Sequence, residues 1–257
     1  MGQDNAVTPR SDLNSAARSV KEALASFRVD GGQAHFRTPF LSPSGATIPI
    51  VMHPDDDNGW MVHDDGFGAL EAELTGGLHA YRQVARAIAD REGLHFDQRM
   101  IFCASVPEDW LANAVIMLGS AVRQALVRTA ERQAMASYDL SRRVLFEKLE
   151  IGFGRDRLVR DAELSGRAGS TWKVDALVSV PGRWRAVYDV VTPNANSVAS
   201  SFIKLTDIGQ VDDAPLRIAV KQRGAAFEAP QITLLSQAAS VVVDLDQSVE
   251  SWMRLAA

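Results

Sequence analysis

Two carboxylates stand out because of where the chain puts them. Asp175 and Asp189 each interrupt a short apolar run, Trp172-Lys-Val-Asp-Ala-Leu-Val-Ser-Val180 and Trp184-Arg-Ala-Val-Tyr-Asp-Val-Val-Thr192. An apolar strand does not ordinarily carry an unpaired charge, because an ionised carboxylate is costly to bury without partners. Pro181-Gly182-Arg183 between the runs is a turn signal, so the two read as a β-hairpin. Counting by two places Val187 and Val191 on the face of Asp189, and Lys173 and Leu177 on the face of Asp175. Two acids on neighbouring strands could hold a hard cation such as Mg²⁺, which takes oxygen ligands and keeps waters for a phosphodiester. Two aspartates solvated at strand ends is the plainer reading, and the pattern leaves it equally open.

The elements that must position these acids follow in order. Asn194 or Asn196 can cap a helix running to about Ile208, with Val198, Phe202, Leu205 and Ile208 on one stripe. After the acidic turn Asp212-Asp213, the run Leu216–Val220 reads as a strand. Pro230 opens a short helix through Leu235, Ser240–Asp244 reads as a buried strand, and a last helix spans Gln247 to Leu255.

Hairpin, helix, strand, helix, strand, helix, with one acid on each of the first two strands, resembles the core of the restriction-endonuclease-like PD-(D/E)XK superfamily of metal-dependent nucleases. The resemblance covers about Leu140 to Ala257. It implies a mixed-sheet α/β domain, Asp175 and Asp189 as metal ligands, and Mg²⁺ as the cofactor. In the family the second acid belongs to an acid-x-lysine triplet; here it reads Asp189-Val190-Val191, so the lysine that orients the attacking water is missing from its usual place. Some members move it to the following helix, where this chain offers Lys204. A glutamate on the preceding helix is also frequent in the family, and Glu147 and Glu150 are the candidates. A catalytically dead descendant would carry much the same pattern.

Composition bounds the chemistry. With 257 residues and 46% hydrophobic content the chain is long enough for two domains with real cores. No apolar run near eighteen residues and no secretory pattern are seen, which leads us to expect no membrane span and a cytoplasmic protein. Cys103 is the sole cysteine, so a disulfide framework or a multi-cysteine zinc site is excluded, and Met100-Ile-Phe-Cys-Ala104 reads as a buried strand. The net charge of −5 argues against a protein that coats nucleic acid non-specifically. Charge is nonetheless uneven. From Arg123 to Arg160 nine basic side chains stand against five acidic ones. Arg142, Arg143, Arg155 and Arg157 within that segment could line a phosphate path, although a solvated helix face with ordinary ion pairs is the commoner meaning.

The first half reads as a small α+β domain. A polar tail precedes a helix from about Ser15 to Phe27, with Ala17, Val20, Leu24 and Phe27 on its stripe. Phe36–Phe40 should pair with Thr47–Met52 across Ser42-Pro-Ser-Gly45, with Trp60–His63 as a third strand. Helices are expected over Phe67–Leu74 and Tyr81–Glu92, stopped by Gly76-Gly77 and Gly93. Leu94–Ala104 makes a strand pair, and Pro107 opens a long helix with Leu111, Val115, Leu118, Val122, Ala125 and Leu126 on one stripe.

Thr38-Pro-Phe40, the Gly59-Trp-Met-Val-His-Asp-Asp-Gly66 turn and the elements around them resemble a bacterial and phage domain family of unknown function, over about Arg28 to Ala134. A nuclease-like C-terminal domain can follow it, and that setting implies a role in defence or counter-defence. His53, Asp55, Asp56, Asp57, His63, Asp64 and Asp65 could ligate a metal, but Asp-Asp-Asn-Gly and Asp-Asp-Gly are first of all turn and cap compositions. No P-loop, dinucleotide fingerprint, Gly-x-Ser-x-Gly elbow, His-Glu-x-x-His or kinase signature is present.

The expected organisation is a tail and helix over 1–27, an α+β domain over 28–106, a connecting helix over 107–139 and a restriction-endonuclease-like domain over 140–257. Two functions compete: a Mg²⁺-dependent phosphodiesterase acting on DNA or RNA, and a non-catalytic nuclease-fold protein that holds nucleic acid or a protein partner. The retained acids favour the first, and the lysine lost from the Asp189-Val190-Val191 triplet favours the second. Homo-oligomerisation is compatible with both.

Overall fold

The computed structural model describes residues 26–55, 59–181, 184–248, 251–252 and 254. The chain is of the α+β class and divides into two compact units, Met1–Ala134 and Met135–Ala257.

The N-terminal unit is built on a six-stranded antiparallel sheet in the order β1 (Ser26–Asp30), β2 (Gln33–Leu41), β3 (Thr47–Pro54), β4 (Trp60–His63), β6 (Phe102–Val106), β5 (His95–Phe96). Alternation decides its faces. Ile48, Ile50, Val62 and Phe102 turn to one side and form a core with Ala72 of α1 (Phe67–Leu74), with Tyr81, Val84 and Ile88 of α2 (Leu78–Glu92), and with Leu118, Val122 and Leu126 of α3 (Leu111–Phe153). The helix expected over Ser15–Phe27 lies mostly outside the described residues, and its last two positions are corrected: Ser26 and Phe27 begin β1. Phe27, expected on an apolar helical stripe, opposes Phe36 across the β1–β2 ladder instead.

The two short motifs of this unit have structural jobs. Thr38 donates its hydroxyl to the Ile48 carbonyl at 2.7 Å. Phe40 packs against Gly119, where an added Cβ would come within 2.6 Å of the ring. Asp64 is fully buried and accepts from the Gly68 N–H at 3.0 Å and the Phe102 N–H at 2.9 Å, tying the start of α1 to β6. Asp65 and Gly66 both take positive φ to turn the chain there, which explains a short polar residue followed by glycine. Gly68 has no room for a side chain, since a Cβ would overlap the buried Tyr81 hydroxyl. Turn and cap chemistry thus accounts for Asp64-Asp65-Gly66. Asp56 and Asp57 fall outside the described residues.

The long helix differs from expectation in length. It runs without a break from Leu111 to Phe153, past the boundary set at 139, because Tyr138, Leu145, Leu149 and Phe153 continue an apolar stripe and no proline or glycine lies between position 139 and Gly152. The segment Glu108–Phe153 also contains an 18-residue window of mean hydropathy 1.3, so by length and composition it is apolar enough to cross a membrane, contrary to the sequence reading. Its small and aliphatic positions Ala114, Leu118, Ala121, Val122 and Ala125 are buried in the first core.

The C-terminal unit carries a five-stranded mixed sheet in the order β11 (Val241–Asp244), β10 (Leu216–Lys221), β9 (Trp184–Val191), β8 (Thr171–Val180), β7 (Leu158–Ser165). β7, β8 and β9 form an antiparallel meander, while β9, β10 and β11 are parallel and joined through α4 (Ala195–Gly209) and α5 (Ala229–Ala238). Leu145, Leu149 and Phe153 of α3 cover one face with Val178, Tyr188 and Val220. Val198, Leu205 and Ile208 of α4 cover the other with Val187, Val191 and Ala219. The strand β7 was not anticipated, because Leu158-Val-Arg-Asp-Ala-Glu-Leu-Ser165 is mostly polar and exposed, as an edge strand is. Asp175 and Asp189 therefore lie on the second and third strands of the unit, not the first two. Of the closing helix, Ser251, Trp252 and Arg254 are described and helical, and Trp252 is buried.

Burial raises the Asp64 pKa to about 6, with the two backbone donors opposing the rise. A folded-state pKa above the unfolded value means that this group favours the fold fully at low pH and loses that contribution as pH climbs through the folded pKa. Relative to an Asp64→Asn variant, the wild type should therefore lose up to about 3 kcal/mol of stability between pH 4 and pH 7. Urea denaturation of the two proteins across that range checks this; a constant difference would contradict it.

Candidate active site

The β8–β9 ladder ends one step short of the two acids. Its pairs run from Val180↔Trp184 to Ala176↔Tyr188, and Asp175 with Asp189 would be next. There β8 leaves its neighbour. Val174 belongs to the α4-side core and Ala176 to the α3-side core, although regular alternation would put both on one face. The Asp175 carboxylate fills the gap: its Oδ2 accepts the Val190 N–H at 2.7 Å, a donor the ladder no longer serves. β7 is distorted at the same level. Arg160↔Ala176 and Ala162↔Val174 pair on either side of Asp161, which is left unpaired with φ of 52°. Asp161, Asp175 and Asp189 thus occupy matching positions on three consecutive strands.

Each acid is met by cations and hydroxyls from the helices. On α3, Tyr138 and Arg142 are one turn apart and share a face. The Tyr138 hydroxyl donates to Asp175 Oδ1 at 2.9 Å. Arg142 Nε lies 2.7 Å from the same oxygen as an ion pair without hydrogen-bond geometry, while its Nη2 donates to Asp161 at 2.7 Å. Lys173 completes the Asp161 contacts at 3.0 Å. From α4, whose N-terminus is capped by Asn194, Ser201 donates to Asp189 Oδ2 at 2.8 Å and Lys204 to Oδ1 at 2.7 Å. Asp175 and Asp189 are buried, at 6% and 3% exposure, so these partners are what keep two charges tolerable there.

Burial, then the charge of Asp189, pushes the Asp175 pKa up against the pull of Val190, Tyr138 and Arg142. Tyr138 is raised as well, by burial and then by Asp175, with Asp189 contributing. Exposed Asp161 moves the other way, held low first by the Lys173 hydrogen bond. Asp189 acts on both Asp175 and Tyr138, so the two buried acids feel one another electrostatically.

The anticipated residues separate into those the fold gathers here and those it does not. Asp175, Asp189 and Lys204 are brought together. The face assigned to Asp189 is the one found, with Val187 and Val191 in the core beneath α4. Lys173 also faces the cluster, but Leu177 packs in the same core beneath α4 as Val187 and Val191, because the strand switches faces at Asp175. Glu147 is exposed, and Glu150 pairs with Arg160 at 2.5 Å, whereas the α3 residues in contact with Asp175 are Tyr138 and Arg142. Arg142 is accordingly not free for a phosphate path, being held by Asp161 and Asp175. Arg143, Arg155 and Arg157 are exposed. Sequence reasoning missed Asp161, Tyr138 and Ser201. Only the one-turn spacing of Tyr138 and Arg142 on an otherwise apolar helix face hinted at any of them.

Two carboxylates on neighbouring strands are a donor set that suits a hard cation, and Mg²⁺ commonly takes one or two together with waters. Among the described residues no three His, Cys, Asp or Glu side chains gather at metal-ligating separation. That includes the His53 and His63 region, where the two rings meet edge to face at 5.5 Å between centroids.

Removing the partner of a buried charge costs far more than removing an exposed one. Lys204→Ala, which leaves Asp189 with Ser201 alone, should destabilise the protein by about 3 kcal/mol. Lys173→Ala, at a pair whose lysine is 64% exposed, should change stability by less than about 1 kcal/mol. Thermal or urea unfolding of the two variants checks the ordering. Comparison with protein-family models, curated proteins and solved structures gives no match for this chain, so its site is defined by its own geometry.

Proposed function

We propose that the C-terminal unit is a restriction-endonuclease-like phosphodiesterase that cleaves DNA or RNA with Mg²⁺ at Asp175 and Asp189. One observation carries the reading: Lys204, arriving from the helix after β9, places its ammonium 2.7 Å from Asp189, beside Asp175 on the next strand. This is the displaced lysine that the resemblance implies. When bound, a divalent cation would supply Lewis-acid stabilisation of charge on the scissile phosphate. The chain's own groups do the rest. Lys204 is placed to donate to an attacking water or to a phosphoryl oxygen while the charge develops. Tyr138, Arg142 and the Val190 N–H hold Asp175 in place and favour its ionised form. Ser201 fixes the Asp189 carboxylate.

A specific observation favours a second reading, in which the fold binds nucleic acid or a protein partner without cutting. Both oxygens of Asp175 and of Asp189 are already engaged by protein groups, and the charges of Asp161, Asp175 and Asp189 are matched by Arg142, Lys173 and Lys204. Such a network is satisfied as it stands.

Cleavage of labelled single-stranded, duplex and branched DNA and RNA with Mg²⁺ or Mn²⁺ separates the two. On the phosphodiesterase reading, Asp175→Ala and Asp189→Ala reduce cleavage to background, and Lys204→Ala lowers it by roughly a hundredfold or more. Because burial raises Asp175 and it would hold the cation only when ionised, protons and Mg²⁺ compete for it, so the Mg²⁺ concentration giving half-maximal activity should fall as pH rises. Arg142→Ala, which removes a charge favouring ionisation of the metal-free carboxyl, should shift that competition further toward the proton. A wild type that cuts none of these substrates, or activity that persists in both aspartate variants, would leave the non-cutting reading in place.

A further inference from the structure

One member of the acid cluster is exposed, and it holds two cations at once. Asp161 Oδ1 accepts from Arg142 Nη2 at 2.7 Å and lies 3.0 Å from Lys173 Nζ, with 43% of its side chain exposed against 7% for Asp175. The backbone bends to put it there. Asp161 takes φ of 52°, a left-handed conformation unusual for a residue with a side chain, between the paired residues Arg160 and Ala162. Glu163 is the cross-strand neighbour of Lys173, yet the lysine turns to Asp161. Arg142 does not need Asp161 to stay where it is. Its guanidinium carbon sits 5.3 Å from the centre of the Phe146 ring and 5.8 Å from that of Tyr138, and its Nε keeps the ion pair with Asp175 at 2.7 Å.

Two cations gathered on one exposed carboxylate oxygen make a site for an anionic oxygen, and a phosphodiester presents such oxygens. An exposed ion pair contributes little, so Asp161 can leave at small cost, whereas the planar fork of an arginine matches a phosphate well. We propose that Arg142 and Lys173 form a phosphate subsite for a nucleic-acid strand, and that Asp161 occupies it in the free protein as a stand-in for the phosphate. Asp161 lies one strand beyond Asp175, about 4.8 Å at the usual strand spacing, so the subsite takes a phosphate next to the one that meets Asp175 and Asp189. An arriving strand moves Asp161 aside. The carboxylate thereby keeps both cations in position and lowers the affinity for nucleic acid. This subsite rests on the reading of the acid cluster as a nucleic-acid site, and it serves whether or not the strand is cut.

The test is fluorescence anisotropy of the full chain with labelled single-stranded and duplex DNA, in EDTA so that no metal-dependent cleavage enters the measurement. Asp161→Asn, which keeps the shape and removes the charge, should tighten binding by up to about fivefold, the most that an exposed ion pair commonly withholds. Lys173→Ala should weaken binding and make the slope of log affinity against log salt shallower by about 0.7 on the single strand and about 0.9 on the duplex, as for one lost contact. In the Lys173→Ala background, Asp161→Asn should tighten binding less. Asp213→Asn removes an equal charge from the pair with Arg185 at the start of β9, and it should leave affinity within about twofold. Circular dichroism melts establish that the variants are folded. A wild type that binds while Asp161→Asn binds no more tightly, or tightening of equal size in Asp213→Asn, would overturn the subsite and leave the reading of the cluster untouched. Absence of binding in the wild type and in Asp161→Asn alike would also overturn it, and the reading of the cluster would fall with it only if cleavage with Mg²⁺ were absent too.

Discussion

A buried carboxylate that replaces a missing strand partner sets the geometry of the C-terminal unit. Where β8 departs from β9, the Val190 N–H would face the interior without an acceptor, and an orphaned buried amide costs roughly 1–3 kcal/mol. Asp175 supplies that acceptor and thereby brings a charge into the sheet. The charge in turn demands Arg142 and Tyr138 from one helix, while its neighbour Asp189 demands Lys204 and Ser201 from another. Helices on both faces are therefore bound to the centre of the sheet through two acids as well as through apolar cores. The parity switch in β8 and the positive φ at Asp161 are the backbone's share of this arrangement.

The N-terminal unit uses the same device for another end. Asp64 also sits inside a core and also accepts backbone N–H groups, from Gly68 and Phe102, but no cation faces it among its hydrogen-bond and ion-pair partners. Its pKa rises accordingly, and its role is to fasten a helix to a strand. Asp175 and Asp189 differ in having charged side chains, Arg142 and Lys204, as partners. Lysine and arginine can exchange a carboxylate for a phosphate, whereas a backbone amide inside a helix start cannot move to meet a ligand. This difference is why the proposed chemistry is assigned to the C-terminal acids and a structural role to Asp64.

Charge placement across the chain follows from the same logic. The basic segment from Arg123 to Arg160 suggests a phosphate path when read as a line of letters. In three dimensions Arg142 and Arg160 are engaged with Asp161, Asp175 and Glu150. Arg28 and Arg37, which make no ion pair among the described residues, come from a segment whose local composition is unremarkable. Linear charge density did not reveal which guanidinium groups are free, because pairing is decided by strands and helices distant in sequence.

The amino-acid sequence by itself determined the mixed character of the fold, most of the strands and helices, and the unusual standing of Asp175, Asp189 and Lys204. Alternation, helical stripes, caps and turn residues are local signals, and a charge inside an apolar run is conspicuous without any structure. The polar edge strand β7, the uninterrupted passage of α3 through Tyr138, and the grouping of Asp161, Tyr138, Arg142 and Ser201 around the acids were decided only by the tertiary structure. An edge strand needs no apolar alternation, and a helix ends only where a residue or a packing contact stops it. Partners of a buried charge are selected by distance in space. Asp175 meets Val190 across a strand gap and Tyr138 from a helix 37 positions earlier, and no periodicity within either segment encodes that meeting.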